Sequence, residues 1–516
     1  MSGDRTPLTL LGLDGVSWEL VDELVENAEV PTLASLVDRA VTGVTDSTVP
    51  SLTCPALPVL YTGINPGNLG IFDFVKPNGD IVDYHDVTEP GLWDYLGERD
   101  VSMVVGAMRT THPAPPVDGV FISDVLSPRE EPQFVTPGTA REAGERFHRM
   151  RDDLEAAKKS GDDEQLLRTF IEFNDERADV LLELLEEHDP AFALLWFGLT
   201  DGVQHYFWND REGLYEFFER FDERLAELLA ARDGNLLVVG DHGFGPAISH
   251  RFHLNDALYR GGYLSLRGGR AGALLTKLAY RASESYVSDQ WKRRALALVN
   301  AVQRGTGGDS NGESGGGPRT VVTPLDSLPG IDWSRTRAHL STRKGWGINL
   351  VDRNVTGDRD ALRREIIDYL QGIEAPNGKP AVKDAWFGEE VYWGRYGDQI
   401  PDIVFLANDE VRPRPSVVGR LFTPRADGSY VGSHESSREA VLMVDGPDVT
   451  AEGSVGHVDL YDVLPTVLHL LGEPVPENVD GDAVAGLTER PVETASYPVE
   501  RYRVRSGVRA IPSDGL

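Results

Sequence analysis

Three apolar runs set the frame of the chain: "LTLLGLDG" (8–15), "AFALLWFGLTDG" (191–202) and "NLLVVGDHGFG" (235–245). Each lacks polar alternation and closes on an aspartate and a glycine, the pattern of a strand buried on both faces of a parallel sheet. Apolar residues elsewhere recur at spacings of three and four, as in "WELVDELVENAEVPTLASLVDRA" (18–40) and "LYEFFERFDERLAELLAARDG" (214–234). That spacing predicts amphipathic helices. Strand runs alternating with helical runs predict an α/β fold, with a central, mostly parallel sheet and helices on both faces. Further strands are expected in "GINLVDR" (347–353), "PDIVFLA" (401–407) and "EAVLMVDGP" (439–447), and a helix over "HVDLYDVLPTVLHLLGEPVP" (457–476).

The same patterning suggests a discontinuous core, with residues 1–255 and 320–490 expected to share one sheet. Residues 1–138, 189–260 and 321–490 read as its three parts. Residues 139–188 are strongly charged and helical in pattern, and read as an insertion or lid. They carry several arginines but no obvious basic cluster, and little that suggests chemistry. Residues 261–320 read as a peripheral helical segment, with a basic stretch at 286–304 and a low-complexity loop, "RGTGGDSNGESGGGP", at 304–318. A polar tail, 491–516, closes the chain.

Charge narrows the list of partners. The 516 residues hold 50 Lys and Arg against 83 Asp and Glu, a formal net charge of −33. Such a field repels nucleic acid polymers and anionic membranes. The acid is spread along the chain rather than gathered in a tail, which suits a solvated surface working in high salt, where charges are screened over a few ångströms. A single cysteine, Cys54, excludes an internal disulfide and any multi-cysteine metal site. No basic segment followed by a long apolar one opens the chain, and no window approaches the roughly 20 apolar residues of a membrane span. The expectation is a cytoplasmic protein; oligomeric state is not legible.

Ionisable residues stand where the apolar runs end. Asp14 follows the first run, Asp201 and His205 share one helical face after the second, and Asp241-His242 follow the third. His434 lies in "GSHESS", and Thr53 precedes Cys54 in "TVPSLTCPALPVLYTG" (48–63). Singly, Asp14 reads as well as a turn residue, and His434 as a solvated loop histidine. Together, three carboxylates and three histidines supply the donor mixture that suits Zn²⁺ or Mn²⁺. Two such ions roughly 4 Å apart clamp the attacking and leaving oxygens of an in-line displacement at phosphorus. A threonine hydroxyl is then a competent nucleophile.

The order Asp14, Thr53, Asp201-x3-His205, Asp241-His242 and His434 resembles the alkaline phosphatase superfamily. The branch it is most similar to is the type I phosphodiesterase/nucleotide pyrophosphatase group, with its prokaryotic phosphohydrolase and phosphomutase relatives. "VPSLTCPALPVLYTGINPGNLGIFDF" (49–74), "GDHGFGP" (240–246), "YWGRYGDQIPDIVF" (392–405) and "DVLPTVLHLLGEPVP" (462–476) carry the likeness, which spans nearly the whole chain apart from the helical insertion and the loop near 310. It implies an alkaline-phosphatase-like three-layer α/β sandwich, two divalent metal ions (Zn²⁺, with Mn²⁺ the alternative) and a small phosphorylated substrate. It further implies that Asp201, His205 and His434 hold one metal, and that Asp14, Asp241 and His242, with the Thr53 oxygen, hold the other. Thr53 would be the nucleophile of a phosphohydrolase acting on phosphodiesters or phosphomonoesters through a phosphothreonine. The other nine histidines, His457 and His469 included, receive no role.

Two local departures sharpen this. A sulfatase would carry Cys or Ser at position 53 followed by x-Pro-x-Arg, whereas Thr53-Cys54-Pro55-Ala56-Leu57 offers neither the precursor nor the arginine. Many nucleotide pyrophosphatases carry Pro-Asn-His after the nucleophile, where this chain has Pro55-Ala56-Leu57, so another donor must meet the phosphoryl oxygen. A metal-dependent phosphomutase and a non-catalytic binding protein on the same fold are the alternatives. The first is disfavoured by the lack of a basic cluster in the insertion, the second by the full set of ligands and nucleophile.

Overall fold

In a computed structural model, the residues described are 5–74, 81–124, 133–268, 272–274, 276–278, 330–340, 347–425, 430–500 and 502–503. The predicted basic helix at 286–304 and the loop at 304–318 lie outside them. Two compact units emerge: Met1–Phe74, Ile81–Pro246 and Ser429–Leu516 form one, Val75–Asp80 and Ala247–Gly428 the other.

The first unit is built on a sheet containing β1 (Leu8–Leu13), β2 (Val41–Asp46), β3 (Met103–Met108), β4 (Gly119–Ser123), β5 (Val135–Thr136), β6 (Phe192–Phe197) and β7 (Asn235–Val239). Two later strands, Glu439–Asp445 and Ser454–Asp459, complete it. Its order is Ser454–Asp459, β2, Glu439–Asp445, β7, β1, β6, β3, β4, β5. Pairing is parallel from β7 through β4, while Glu439–Asp445 runs antiparallel to both β2 and β7. β3, β6 and β7 are buried at every position, so both faces of the sheet are covered, as their unbroken apolar runs require. β2, "VTGVTD", instead alternates buried and partly exposed residues.

Helices supply the cover: α1 (Trp18–Asn27), α2 (Pro31–Arg39), α3 (Thr53–Thr62), α4 (Pro66–Leu69), α5 (Leu92–Gly97), α6 (Arg141–Phe147), α7 (Arg151–Ser160), α8 (Asp163–His188), α9 (Leu199–Phe207) and α10 (Arg211–Ala230). The periodic run 18–40 becomes two helices, because Pro31 cannot continue a helix but suits the first turn of a new one. The charged stretch 139–188 forms α6, α7 and α8, the last started by Asp162, whose side chain accepts the Gln165 N–H at 2.9 Å. The helix expected over 457–476 is shorter. Residues Ser454–Asp459 pair with β2, and the helix proper is Val463–Leu470.

In the second unit an antiparallel sheet runs Ala338–Leu340, Gly347–Leu350, Ile403–Ala407, Val382–Phe387, with the helix Arg359–Gln371 packed on its last strand. Of the stretch 320–490, Glu439–Asp445 and Ser454–Asp459 therefore join the sheet of the first unit, while the strands at 347–350 and 403–407 belong to a sheet of their own.

Candidate functional site

β7, β1 and β6 are neighbours and parallel, so their carboxyl ends open on one crevice. Asp14 directly follows β1, Asp241 and His242 follow β7, and Asp201 and His205 sit on α9, which begins two residues after β6. Thr53 opens α3, and His434 precedes the strand Glu439–Asp445. All seven predicted residues come together there. Asp14, Asp241 and His242 are 0% exposed, Thr53 1%, Asp201 7% and His434 9%.

The histidines are aimed by their backbone partners. His205 Nδ1 donates to the Gly432 carbonyl at 3.0 Å, His242 Nδ1 to the Gly243 carbonyl at 3.0 Å and His434 Nδ1 to the Ser51 carbonyl at 2.7 Å. A carbonyl only accepts, so each Nδ1 carries the proton and each Nε2 keeps its lone pair for the site. His205 Nε2 lies 3.5 Å from Asp201 Oδ2 and His434 Nε2 3.8 Å from Asp201 Oδ1. His242 Nε2 lies 3.6 Å from Asp14 Oδ1, 3.4 Å from Asp241 Oδ2 and 3.0 Å from Thr53 Oγ1, whose hydroxyl donates to it.

Two groups of ligand atoms converge within 4.8 Å: Asp201, His205 and His434, and Asp14, Asp201 and His242. Asp241 reaches the second group through Oδ2. Asp14 Oδ1, Asp201 Oδ1 and Asp241 Oδ2 are buried with no hydrogen-bond partner. Leaving ionised oxygens unpartnered inside a protein is strongly unfavourable unless a cation answers them. The donor set therefore fits divalent metal ions. A further group, Asp46, Glu439 and His457, is more exposed, and His457 Nδ1 is 3.0 Å from Asp46 Oδ2.

The electrostatics point the same way. Burial and the Asp241 charge push the Asp14 carboxyl well above its usual range, against the pull of Arg109. Asp241 is also raised, chiefly by burial and against the pull of His242. Burial opposes ionisation of Asp201 too, but His205, His434, His242 and Arg109 outweigh it and hold its carboxyl at about 2. Burial, then His242, pushes His434 well below its usual value.

Thr53 stands at the first position of α3, where no intrahelical acceptor exists for its amide; the ladder starts with Ala56 N–H to Leu52 O at 3.0 Å. Cys54, its neighbour, is buried in the hydrophobic core. His469, given no role, is buried with Nε2 3.0 Å from Thr488 Oγ1.

Some residues at this site were not singled out from the sequence. Arg109, just after β3, places Nη1 3.1 Å from Asp14 Oδ2 and Nε 2.6 Å from Asp124 Oδ2. A cavity of about 510 Å³ is lined by Thr53, Asp201, His434, Arg109 and Asp124, and also by Arg151, Lys158 and Arg177 of α7 and α8. The expectation that the helical stretch holds no basic cluster is thus corrected, since residues far apart in it meet at one cavity. A signal was available: Arg177 falls on the apolar stripe of α8, with Phe170, Phe173 and Leu181.

A mostly parallel α/β sheet whose strand ends deliver carboxylates and imidazoles to one crevice is the architecture of the alkaline phosphatase class. Residues 8–414 match the family Type I phosphodiesterase / nucleotide pyrophosphatase, and the chain belongs to that family. His434 lies beyond the matched span and is brought to the site by the fold. Human ectonucleotide pyrophosphatase / phosphodiesterase 5 is similar in structure, with a TM-score of 0.49 and 12% identity, covering 94% of this chain and 100% of that one. No curated protein matches the chain by sequence. Membership makes the protein a phosphoric ester hydrolase-like enzyme by family. No described helix is long and apolar enough to cross a membrane.

Proposed function

We propose that the protein is a two-metal phosphohydrolase that cleaves phosphodiester or phosphomonoester bonds through a phosphothreonine on Thr53. The observation that carries this reading is the set of three Nε2 atoms, each fixed by an Nδ1 hydrogen bond to a main-chain carbonyl, facing three orphaned carboxylate oxygens. Asp201, His205 and His434 would hold one ion, and Asp14, Asp241 and His242 the other; zinc suits the histidine-rich set, and manganese is the alternative. Bound there, such ions lower the pKa of hydroxyl groups and neutralise charge on a phosphoryl group.

The chain's own residues do the rest. Thr53 Oγ1 bonds to phosphorus as the bond to the leaving oxygen breaks in line, and the proton given up by the Thr53 hydroxyl ends on that leaving oxygen. Water then adds to the phosphothreonine, its hydroxyl going to phosphorus and its proton restoring the Thr53 hydroxyl. The Thr53 amide, in the first turn of α3, supplies a donor for a phosphoryl oxygen where Ala56 cannot. Burial of Thr53 keeps bulk water from competing.

Hydrolysis of bis-p-nitrophenyl phosphate and p-nitrophenyl phosphate in molar KCl, with bound metal assayed on the same sample, tests the proposal. Metal-dependent turnover that is lost in Thr53→Ala supports it, and the ratio of the two substrates separates diesterase from monoesterase. Folded protein that binds no metal and turns over neither substrate refutes it. The cations of α7 and α8 at the cavity favour one second reading, a phosphomutase. It would return the phosphoryl group to another hydroxyl of its substrate and release no inorganic phosphate.

A further inference from the structure

The two oxygens of Asp14 have unequal surroundings. Oδ2 accepts the Trp196 indole N–H at 3.3 Å and lies 3.1 Å from Arg109 Nη1, whereas Oδ1 is buried with no hydrogen-bond partner. His242 Nε2 lies 3.6 Å from that Oδ1. One oxygen is thus tethered, and the other alone is left for a cation. Asp241 divides the same way, since its Oδ1 accepts the Gly15 N–H at 3.3 Å and its Oδ2 has no partner. The tether of Asp241 is main chain; that of Asp14 is made of side chains, which substitution can remove.

This tether runs across the sheet. Asp14 follows β1, Trp196 belongs to β6, Arg109 follows β3 and Asp124 follows β4, and these four strands are consecutive neighbours. Arg109 Nε donates to Asp124 Oδ2 at 2.6 Å, and its Nη2 to the Gly198 carbonyl at 3.5 Å. Each nitrogen of the guanidinium therefore faces an oxygen of its own. Because the fork is planar and rigid, pinning Nε on Asp124 also sets where Nη1 meets Asp14. Burial works against the charge of Arg109, and Asp14, then Asp124, offset that cost. A cation engaged in this way acts on the site through Asp14.

We propose that Arg109, held by Asp124, is a positioning residue that keeps Asp14 a one-oxygen ligand and so sets how tightly Asp14, Asp241 and His242 hold their ion. This rests on the two-metal site of the phosphohydrolase reading. Partners that orient a ligating group in this way are typically worth about 10- to 100-fold in metal affinity.

Arg109→Lys keeps the charge and loses the fork, so it separates orientation from electrostatics. Titration with Zn²⁺ against a competing chelator gives the dissociation constants of the two ions, and Asp241→Asn and His205→Gln identify which constant belongs to which set of ligands. In Arg109→Lys the ion of the Asp14 set should bind about 10- to 100-fold more weakly, and the ion of the Asp201 set within about 3-fold of wild type. With metal in excess, the KM for bis-p-nitrophenyl phosphate should match that of wild type, because Arg109 acts through Asp14. Should Arg109→Lys fail to fold, Asp124→Asn, which removes the charge that holds Nε, should weaken the same ion about 3- to 10-fold and spare the other. Constants that are both unchanged, or both raised alike, overturn the inference, as does a KM that stays raised in excess metal. A wild type that binds two ions but hydrolyses neither reporter overturns the phosphohydrolase proposal, while the titration still decides this inference. A folded wild type that binds no metal overturns both.

Discussion

Asp241→Asn should stabilise the metal-free protein and weaken the metal-bound one. Asp241 is fully buried, its Oδ1 accepts the Gly15 N–H at 3.3 Å, and its Oδ2 has no partner. Asparagine keeps the Oδ1 acceptor, and its new amide can donate to His242 Nε2, 3.4 Å from the present Oδ2, once the Thr53 hydroxyl that now donates there turns away. The substitution removes an orphaned buried acceptor, worth about 1–3 kcal/mol. At roughly 2–4 °C per kcal/mol for a unit of about 150–250 residues or more, the chelated variant should melt about 2–12 °C above chelated wild type. Metal works against that gain. At a concentration 100 times its dissociation constant, an ion binding only the folded state adds about 2.7 kcal/mol. Loss of a charged ligand weakens binding at least as much as loss of a supporting partner, about 10- to 100-fold, which removes most of that gain. The metal advantage lost is about 1.3–2.3 kcal/mol, so thermal melts of both proteins across a zinc or manganese titration should converge, and cross wherever that loss exceeds the metal-free gain. If chelated Asp241→Asn melts below wild type, or if metal leaves the wild-type midpoint unmoved, the reading of these orphaned carboxylates as a metal site is wrong.

Four further outcomes follow from features already described. Thr53→Val keeps the shape of the side chain and loses one buried hydrogen bond to His242, so unfolding free energy should drop by about 1 kcal/mol while steady-state turnover falls by at least about 10³-fold; retained turnover would exclude Thr53 as the nucleophile. Gly12→Ala would place a Cβ 1.9 Å from Trp196 Cε3, and Trp196 Nε1 donates to Asp14 Oδ2 at 3.3 Å, so chemical denaturation should show a loss of about 1–3 kcal/mol together with weaker metal binding. In the second unit, burial lowers His253 to about 4, so its neutral form is favoured in the folded state; stability present above the unfolded value near 6.5 is lost as pH falls toward 4, by on the order of 3 kcal/mol, and urea titrations of His253→Gln should show a shallower acid limb. With a net charge of −33, raising KCl from about 0.1 to 1 M shortens the screening length from about 10 to 3 Å and should raise the melting midpoint; a midpoint that falls would contradict a salt-adapted surface.

The parts of the fold that were legible share one property, burial on both faces. β1, β6 and β7 are nearly unbroken apolar runs, and their ends fixed where to look for Asp14, Asp201 and Asp241. β2 was less visible because half of its side chains are only partly buried, so threonine and glycine dilute the pattern. The stretch 457–476 misled because helix Val463–Leu470 is strongly apolar and its signal spills over Ser454–Asp459, a strand with several exposed residues. Arg177 and Arg109 were hidden for different reasons. Arg177 lies among many charges in α8, where only its place on the apolar stripe sets it apart, and Arg109 gains meaning only when β3 is laid beside β6. Which strands share a sheet is long-range information, and for that reason the separate pairing of Gly347–Leu350 with Ile403–Ala407 was not readable from local pattern.

The three histidine tethers all end on main-chain oxygens, those of Ser51, Gly243 and Gly432. Every amino acid carries that oxygen, so no replacement at these positions can delete an acceptor by changing a side chain. The orientation of the imidazoles is in this sense written into the path of the backbone. The two glycines have a separate reason for being glycine: a Cβ at Gly243 would meet the Glu439 carbonyl at 2.4 Å, and one at Gly432 would meet the Phe244 ring at 2.4 Å. Drift in sequence around the site can therefore alter what it accepts while leaving the aim of its ligands unchanged. An engineer seeking new specificity has more room at the exposed positions of α7 and α8 than in the loops beneath the histidines.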